Sequence, residues 1–392
     1  MTNILNDIPN VYNLLFQFQE GGIELLSQLR DSVSSPHIGR QMRTWGIYDA
    51  AKLCNTSPPR IRRQEEEGNI PPPQRDEMTK RRIYTLERIN EIREALNVRY
   101  KRPQGTEPII LSVSNFKGGS CKTTTATHLI QYCAIQGLRC LMIDCDPQAS
   151  STWILGGLIP DMELDKEDTI FNASINNPDD IRRVIRETYV DSLHIIPSNM
   201  FLQDIEIALI QLQNPLLRFK NAIDKIKDSY DLIMFDCGPN ISFITLNAIV
   251  ASNSILVPIP PDMYDFAAFI AYTGSLTKIF KDLNKDLNFF RILLTRHKEN
   301  KDSREVERMM RSMFVSYLLS NYIVDTIEIA KAGNSYGTIY DTDTPRGSRE
   351  SYQRALISFN AVNNEILGYF KEIWEYKSAK PTKKKSMATE TI

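Results

Sequence analysis

One short segment constrains the fold of this 392-residue chain more than any other. Its sequence, NFKGGSCKTT, occupies residues 115–124, after an apolar run typical of a buried strand and before a helical pattern. In a glycine-rich turn between a strand and a helix, backbone N–H groups can point inward and bind phosphate oxygens together with the helix N-terminus. The segment therefore predicts an α/β fold with a phosphate-binding loop at the end of a strand.

The residues of this loop can be assigned to parts of a nucleotide site. Phe116 and Cys121 stand where the ordinary G-x-x-x-x-G-K-[ST] motif has glycine. Lys122 is at the position that reaches the β- and γ-phosphates of ATP, and the Thr123 hydroxyl is at the position that binds Mg²⁺. Further nucleotide contacts are expected from Gly118, Gly119, Ser120, Cys121 and Thr124.

After residue 105, apolar runs of five to eight residues alternate with longer helical patterns. We predict buried strands at 109–115, 138–145, 192–198, 231–237, 253–259 and 289–295. Helices are predicted between them, for example at 124–136, 201–227 and 265–281. Apolar strands that alternate with helices predict a mainly parallel, twisted sheet with helices on both faces.

Aspartates follow two of the predicted strands. Asp144 and Asp146 lie in LMIDCDPQ at 141–148, and Asp236 lies in LIMFDCGP at 232–239. The carboxyl ends of parallel strands face the crevice in which α/β sheets bind ligands. Downstream of a phosphate loop, Asp236 is therefore expected to hold Mg²⁺ through water. For Asp144, capping of the following turn is the alternative to a role at the metal.

Residues 44–96 carry a separate pattern, which predicts a DNA-binding helix-turn-helix. Apolar residues at 47–53 are spaced as in a first helix. Ser57 can cap a second helix that has Pro58 at its first position. The second helix carries side chains suited to phosphate or guanine contacts, namely Arg60, Arg62 and Arg63.

A basic segment follows this second helix. Gly68 is expected to end the helix, and the next helical pattern covers 86–96. Between them lie the residues of a predicted basic wing, Lys80, Arg81 and Arg82. The alternative is a small helical domain whose arginines form a solvated face. The three glutamates at 65–67 favour that alternative locally, because acids near a DNA surface repel phosphate.

Composition excludes several classes of protein. With 47 Lys and Arg against 48 Asp and Glu, a net charge of −1 argues against coating of nucleic acid by overall charge, but it does not exclude a local basic patch. No run of about 18 apolar residues occurs, so no transmembrane helix is expected, and the N-terminus lacks the pattern of a signal peptide. Six scattered cysteines without C-x-x-C favour a reducing compartment.

Four regions are predicted along the chain. Residues 1–43 form a helical arm, 44–105 a winged helix-turn-helix with a linker, 106–376 the α/β domain and 377–392 a basic, disordered tail. The arm either packs on its own core or pairs with a second copy of the chain. Its apolar stripe consists of Leu14, Leu15, Phe18, Leu25, Leu26 and Leu29.

These motifs together resemble those of the ParA family of plasmid partition ATPases, in the MinD/ParA superfamily of P-loop NTPases with a deviant Walker A motif. The resemblance covers nearly the whole chain. It rests on the Lys117-Gly-Gly start of the loop, the D-x-D-P-Q pattern at 144–148 and the Walker B strand that ends at Asp236. The segment at 44–96 is similar to the MerR-type winged helix-turn-helix that precedes the ATPase in the larger class of this family.

The resemblance implies roles for individual residues. The implied catalytic residues are Lys117, which would reach the phosphates of a partner in a nucleotide-sandwich homodimer, Lys122, and Asp146, which would orient the attacking water. Asp144 would support the metal. Cys121 would be a tolerated side chain and not a nucleophile, because the larger members of this family accept Ser or Tyr at its position. Contacts to the ribose and base are implied for Pro260, Asp262 and Thr295, with support of the sheet as the alternative. Non-specific DNA contacts, with ordinary surface charge as the alternative, are implied for Arg346, Arg349 and Arg354.

The implied function is ATP-dependent DNA segregation in the cytoplasm, on the nucleoid. An ATP-bound dimer would bind DNA without sequence preference. A ParB-like centromere-binding protein would stimulate slow, Mg²⁺-dependent hydrolysis to ADP. The winged helix-turn-helix region at 44–105, called the N-terminal module below, would repress the operon. The alternative is an ATP-switched transcriptional regulator without a segregation role. The cysteines lack the spacing of a cluster-binding metabolic ATPase, and the tail lacks the apolar face of a membrane-binding helix.

Overall fold

A computed structural model describes residues 11–33 and 40–379. Most of the tail predicted over 377–392 and parts of the predicted arm lie outside the described residues. The described chain begins with the elements α1 (Val11–Val33), α2 (Ile47–Leu53), α3 (Pro58–Glu66), β1 (Gln74–Arg75), β2 (Arg82–Ile83) and α4 (Leu86–Ala95).

The α1 helix continues through Gly21 and Gly22, although glycine has a low helix propensity. Three apolar side chains of the predicted stripe are more than half exposed: Leu15 (60%), Phe18 (65%) and Leu25 (56%). Burial in the core of the described chain therefore does not account for them. Pairing with a second copy stays a prediction.

The helices α2 and α3 are followed by an antiparallel ribbon and by α4. Pro58 begins α3, where a missing N–H costs nothing because the first turn has no partner for it. In the ribbon, Gln74 pairs with Ile83 and Arg75 pairs with Arg82. The Thr85 hydroxyl accepts a hydrogen bond from the first turn of α4. The order of elements is the one that the sequence predicts for residues 44–96.

The α/β part contains one seven-stranded sheet. Its strands are β3 (Ile109–Val113), β4 (Cys140–Cys145), β5 (Arg186–Glu187), β6 (Leu193–Ile196), β7 (Leu232–Cys237), β8 (Ser254–Ile259) and β9 (Phe289–Leu294). Their order is β5-β6-β4-β7-β3-β8-β9, and all pairs except β5–β6 are parallel. The mainly parallel sheet and its six apolar strands are confirmed. The two-residue edge strand β5 escaped prediction because it is polar and short.

Helices cover the sheet. They are α5 (Lys122–Ile135), α6 (Pro160–Glu163), α7 (Phe171–Ile175), α8 (Gln203–Ile210), α9 (Arg218–Ile223), α10 (Phe243–Ala251), α11 (Met263–Leu283), α12 (Lys301–Phe314), α13 (Ile327–Asn334) and α14 (Arg349–Ala379). Within the described ranges 11–33 and 40–379, none has the length and apolar character needed to cross a membrane.

One long helix predicted over 201–227 is wrong. The structure instead has a 3₁₀ turn and α8, then a second 3₁₀ turn at Pro215–Leu217 and α9. Asn214 adopts a left-handed conformation with φ of 51°, and Pro215 cannot donate a backbone hydrogen bond. Asn214 and Pro215 therefore prevent α8 and α9 from forming one continuous helix.

The two faces of the sheet face different hydrophobic clusters. In β3, Leu111 joins a cluster with α5, α14 and the N-terminal helices, whereas Ile110 joins a cluster with α7 to α10. Alternate residues of a strand point to opposite faces, so β3 contributes apolar side chains to both clusters. The N-terminal module thus shares a core with one face of the sheet.

Arg93 lies inside this shared core, with only 2% of its surface exposed. Its guanidinium donates to the carbonyl of Leu53, at 2.9 Å, and to the carbonyl of Ile135, at 2.8 Å. It therefore joins α2 of the N-terminal module to the end of α5. Gly137 has a φ of 96°, and a Cβ there would lie 3.2 Å from the guanidinium, so this turn suits glycine. Burial lowers the pKa of Arg93 to about 10.

We predict that Arg93→Ala lowers the free energy of unfolding by about 3 kcal/mol, because buried carbonyl groups lose their donor. Urea denaturation of the full chain measures this loss. The matched control is Arg88→Ala on the same helix, since Arg88 pairs with the exposed Glu91 and a surface pair contributes less than about 1 kcal/mol. Equal losses in the two variants would contradict the linking role of Arg93.

Candidate active site

The phosphate loop joins the end of β3 to the start of α5, and side chains fix its shape. Asn115 donates to the carbonyl of Pro258 (2.9 Å) and accepts from the backbone N–H of Lys117 (3.2 Å). The Ser120 hydroxyl donates to the carbonyl of Lys117, and the Thr295 hydroxyl donates to the carbonyl of Ser120, each at 3.2 Å. Neighbouring strands β8 and β9 therefore hold the loop in place.

Lys122 is the first residue of α5 and is 7% exposed. Its ammonium donates to the carbonyl of Lys117 at 3.0 Å, across the mouth of the loop. Burial lowers the pKa of this ammonium, and the nearby Asp236 acts in the opposite direction. The side chain is thus poised inside the loop, where a phosphate group can replace the carbonyl as its partner.

Lys117 is held by its own chain. Its ammonium lies 2.8 Å from the carboxylate of Asp265, in the first turn of α11. Asp262 begins that helix and accepts from the N–H of Tyr264 at 2.8 Å. The N-terminus of α11 and Lys117 therefore both stabilise the charge of Asp265.

Two wholly buried carboxylates lie side by side at the ends of β4 and β7. Asp144 and Asp236 are register partners in the sheet. Burial raises the pKa of both groups. Asp144 accepts hydrogen bonds from the N–H of Asp146 and from the N–H and hydroxyl of Thr152. These are the turn-bonding contacts that the sequence leaves open as the alternative to a metal role.

Asp236 is bound differently. One of its oxygens accepts from the Ser151 hydroxyl at 2.5 Å, whereas the other, Oδ1, has no hydrogen-bond partner within the described chain. The nearby hydroxyl groups of Ser151 and Thr123 oppose the effect of burial on the pKa of Asp236. An orphaned buried oxygen beside the Thr123 hydroxyl is suited to a cation or to its water.

Asp146 lies in the turn after β4 and is half-buried. Its carboxylate accepts from the N–H of Gln148 at 3.0 Å, and its carbonyl accepts from the Ser198 hydroxyl at 2.8 Å. A Cβ on Gly238 would lie 3.6 Å from the Asp146 carboxyl carbon. Asp146 therefore faces the loop that follows the Walker B strand.

A cavity of about 480 Å³ opens beside the loop, between the ends of β8 and β9. Of the residues predicted to contact ribose and base, Pro260 and Asp262 line it, whereas Thr295 lies beneath the loop. Several lining residues were not predicted from the sequence, namely Lys298, Asn300, Asp302, Ser303 and Val306. Their position just after β9 is the signal that would have found them, because strand ends at this edge face the ligand crevice.

Comparisons with known proteins agree with this geometry. A family model described as AAA domain matches residues 109–289. The chain is 32% identical to a putative replication protein A of Rhizobium rhizogenes, over 95% of this chain and 98% of that protein. It is 31% identical to protein SopA of Escherichia coli K12, over 89% and 94%. The chain belongs to the ParA family of partition ATPases.

Solved structures confirm the fold of this ParA-family chain. One, named Partition Protein, aligns with a TM-score of 0.63 and 20% identity, over 91% of this chain and 98% of that one. An ATP complex of a Cyanothece McdA variant aligns with a TM-score of 0.57 and 18% identity, over 67% of this chain and 97% of that one.

The predicted DNA-contacting residues fall into two groups in the N-terminal module. Arg82 and the Tyr84 hydroxyl both bind Glu65 of α3, and Arg63 pairs with Glu67. The contacts to Glu65 attach the ribbon to α3, whereas the Arg63–Glu67 pair lies at the end of that helix. The exposed members, which form no ion pair with other described residues, are Arg60, Arg62, Lys80 and Arg81.

The three predicted arginines of the C-terminal region also differ from one another. Arg346 is half-buried and donates to the carbonyl of Thr338 at 3.1 Å, so it stabilises its own loop. Arg349 and Arg354 are exposed in the first turns of α14. The structure thus places two of the three on an open surface.

We predict that Lys122→Ala abolishes ATP hydrolysis, because no other cation of the loop lies at the start of α5 where the phosphates bind. Release of phosphate by the purified full chain measures the loss, with circular dichroism to verify folding. The control is Lys278→Ala on α11, which removes an exposed cation and leaves turnover unchanged. Unchanged turnover in Lys122→Ala would overturn the site assignment.

Cys121 adopts a left-handed conformation with a φ of 64°, a region that favours glycine. Burial raises the pKa of its thiol, which lowers its reactivity as a nucleophile. We therefore predict that both Cys121→Gly and Cys121→Ser retain hydrolysis within about threefold, whereas the β-branched Cys121→Val lowers the melting temperature. Loss of hydrolysis in both of the first two variants would show that the thiol has a chemical role.

Proposed function

We propose that this ParA-family chain is a Mg²⁺-dependent ATPase that dimerises with ATP, binds DNA and segregates it with a ParB-like partner. The observation that carries the proposal is the convergence of Lys122, Lys117, Asp146 and Asp236 around one loop. Phosphoryl transfer to water needs positioning and charge neutralisation more than covalent chemistry, and these side chains supply both.

Each of these residues would have a separate role in hydrolysis. Lys122 would neutralise the phosphate oxygens, and Asp146 would orient the attacking water. Asp236 Oδ1 and the Thr123 hydroxyl would hold Mg²⁺, which neutralises phosphate charge when bound. Mg²⁺ usually binds one or two carboxylates together with substrate phosphates and water, so this small donor set fits it.

Dimerisation would change the partner of Lys117. In the single chain its ammonium pairs with Asp265, and a partner's phosphates would have to replace that carboxylate. The exposed apolar side chains of α1 support a second contact between copies. An assembly of two copies would therefore replace the Lys117–Asp265 contact and cover the exposed side chains of α1.

Specific DNA binding by the N-terminal module is supported by the pairing of its acids. Glu65 is neutralised by Arg82, and Glu67 is neutralised by Arg63, so these acids repel phosphate less than the sequence alone implies. Arg62 stays exposed on α3. We propose that α3 and the ribbon contact operator DNA in a winged helix-turn-helix mode and repress the operon.

Non-specific DNA binding is supported by a basic groove on α12. Lys301, Arg304 and Arg308 form a stripe at i, i+3 and i+7, and no carboxylate pairs with them in the described chain. They line a groove of about 800 Å³ together with Tyr322. Another face of α12 lines the cavity beside the phosphate loop, through Val306 and its neighbours. One helix therefore borders both sites.

We predict that Arg304→Ala/Arg308→Ala weakens ATP-dependent binding of a random-sequence duplex and lowers its salt slope by about 2, because two phosphate contacts are lost. Fluorescence anisotropy of the full chain at several salt concentrations measures both effects. The matched control is Lys278→Ala/Lys281→Ala, which removes two exposed cations of α11. Failure of the unmodified chain to bind this duplex with ATP would contradict the proposed function.

A second candidate is an ATP-switched transcriptional regulator. It is favoured by the core that the N-terminal module shares with the sheet, because nucleotide could then change operator binding directly. The two candidates are distinguished by measuring hydrolysis and operator binding in the presence of a ParB-like protein encoded beside this gene. Stimulated hydrolysis supports segregation, whereas intact operator binding without stimulation supports the regulator.

A further inference from the structure

Ser151 carries a buried hydroxyl and belongs to none of the motifs recognised in the sequence. It is wholly buried and donates to Asp236 at 2.5 Å. Ser151 precedes a π-helical turn at Thr152–Gly156 and has helical backbone angles. The regular backbone therefore fixes the position from which its hydroxyl group extends. A short hydrogen bond from a fixed, dry donor restricts the rotation of the carboxylate that receives it.

The contact with Ser151 gives the two oxygens of Asp236 different hydrogen-bonding environments. Oδ2 accepts from Ser151, and Oδ1 is left buried without a partner in the described chain. A buried carboxylate oxygen without a donor costs free energy unless a cation or a polarised water reaches it. The serine therefore holds the aspartate in an orientation that reserves one oxygen for a ligand.

The next residue, Thr152, binds the other buried carboxylate. Thr152 donates its N–H and its hydroxyl to Asp144, both at 2.8 Å. Two successive hydroxyl residues thus bind the two adjacent carboxylates, one each. Asp144 accepts hydrogen bonds from Asp146 and Thr152 on both of its oxygens, so it is held in the turn. Asp236 accepts one hydrogen bond, on Oδ2, so its Oδ1 remains accessible to a ligand.

We infer that Ser151 is a positioning residue for the metal site: its hydroxyl orients Asp236 so that Oδ1 binds Mg²⁺ or its water. This rests on the proposed function, since it concerns the metal of the same site. Partners behind metal ligands commonly affect metal affinity about 10- to 100-fold. Ser151 is wholly buried and lies outside the phosphate loop, so the expected effect is on the metal and not on the phosphate contacts.

The test is binding of a fluorescent, non-hydrolysable ATP analogue to the full chain, first in EDTA and then during titration with MgCl₂. For Ser151→Ala, we expect nucleotide affinity in EDTA to stay within about twofold, and the Mg²⁺ concentration at half-effect to rise at least about tenfold. Ser151→Cys retains a weak donor, so it should give an intermediate shift.

The matched control is Ser174→Ala, which removes another buried hydroxyl, one that donates to the carbonyl of Ile170. It should leave the Mg²⁺ requirement unchanged. An unchanged requirement in Ser151→Ala, or a fall in EDTA affinity as large as the fall in Mg²⁺, would overturn the positioning role. If the unmodified chain shows no Mg²⁺ effect on nucleotide binding, the metal part of the proposed function fails, and this inference fails with it.

Discussion

The candidate site depends on the parallel alignment of β3, β4 and β7. Parallel pairing brings the carboxyl ends of all three strands to one edge, so the phosphate loop, Asp144 and Asp236 become neighbours although more than 100 residues separate the first from the last. Two carboxylates and the ammonium of Lys122 are then buried within one small volume. Buried charges are costly unless they are paired or hydrogen-bonded, and the surrounding hydroxyl groups meet that need.

The same sheet also determines how the N-terminal module is attached. Its helices pack into the cluster that covers one face of the sheet, and Arg93 bonds the module to the end of the phosphate-loop helix. A module that shares a core moves with its neighbour more than one on a free linker does. A change in α5 on nucleotide binding would therefore have a physical route to α2 and α3.

Much of the fold follows from local sequence patterns. Mostly apolar runs predicted the six main strands because most of their residues are buried, and the loop motif placed Lys122 and Thr123. The prediction failed over 201–227, where an Asn-Pro pair interrupts a continuous apolar pattern. It also missed β5, because a two-residue polar edge strand has no periodic signal.

The sequence by itself determined the chemistry of this protein: the phosphate loop, the strand-end aspartates and the basic N-terminal segment are all local patterns. Only the tertiary structure decided which groups partner each other. It paired Lys117 with Asp265, bound Asp144 into a turn, left one oxygen of Asp236 open beside Ser151, and neutralised Glu65 with Arg82. These contacts join residues distant in sequence or on separate elements, so they arise from packing and no local pattern encodes them.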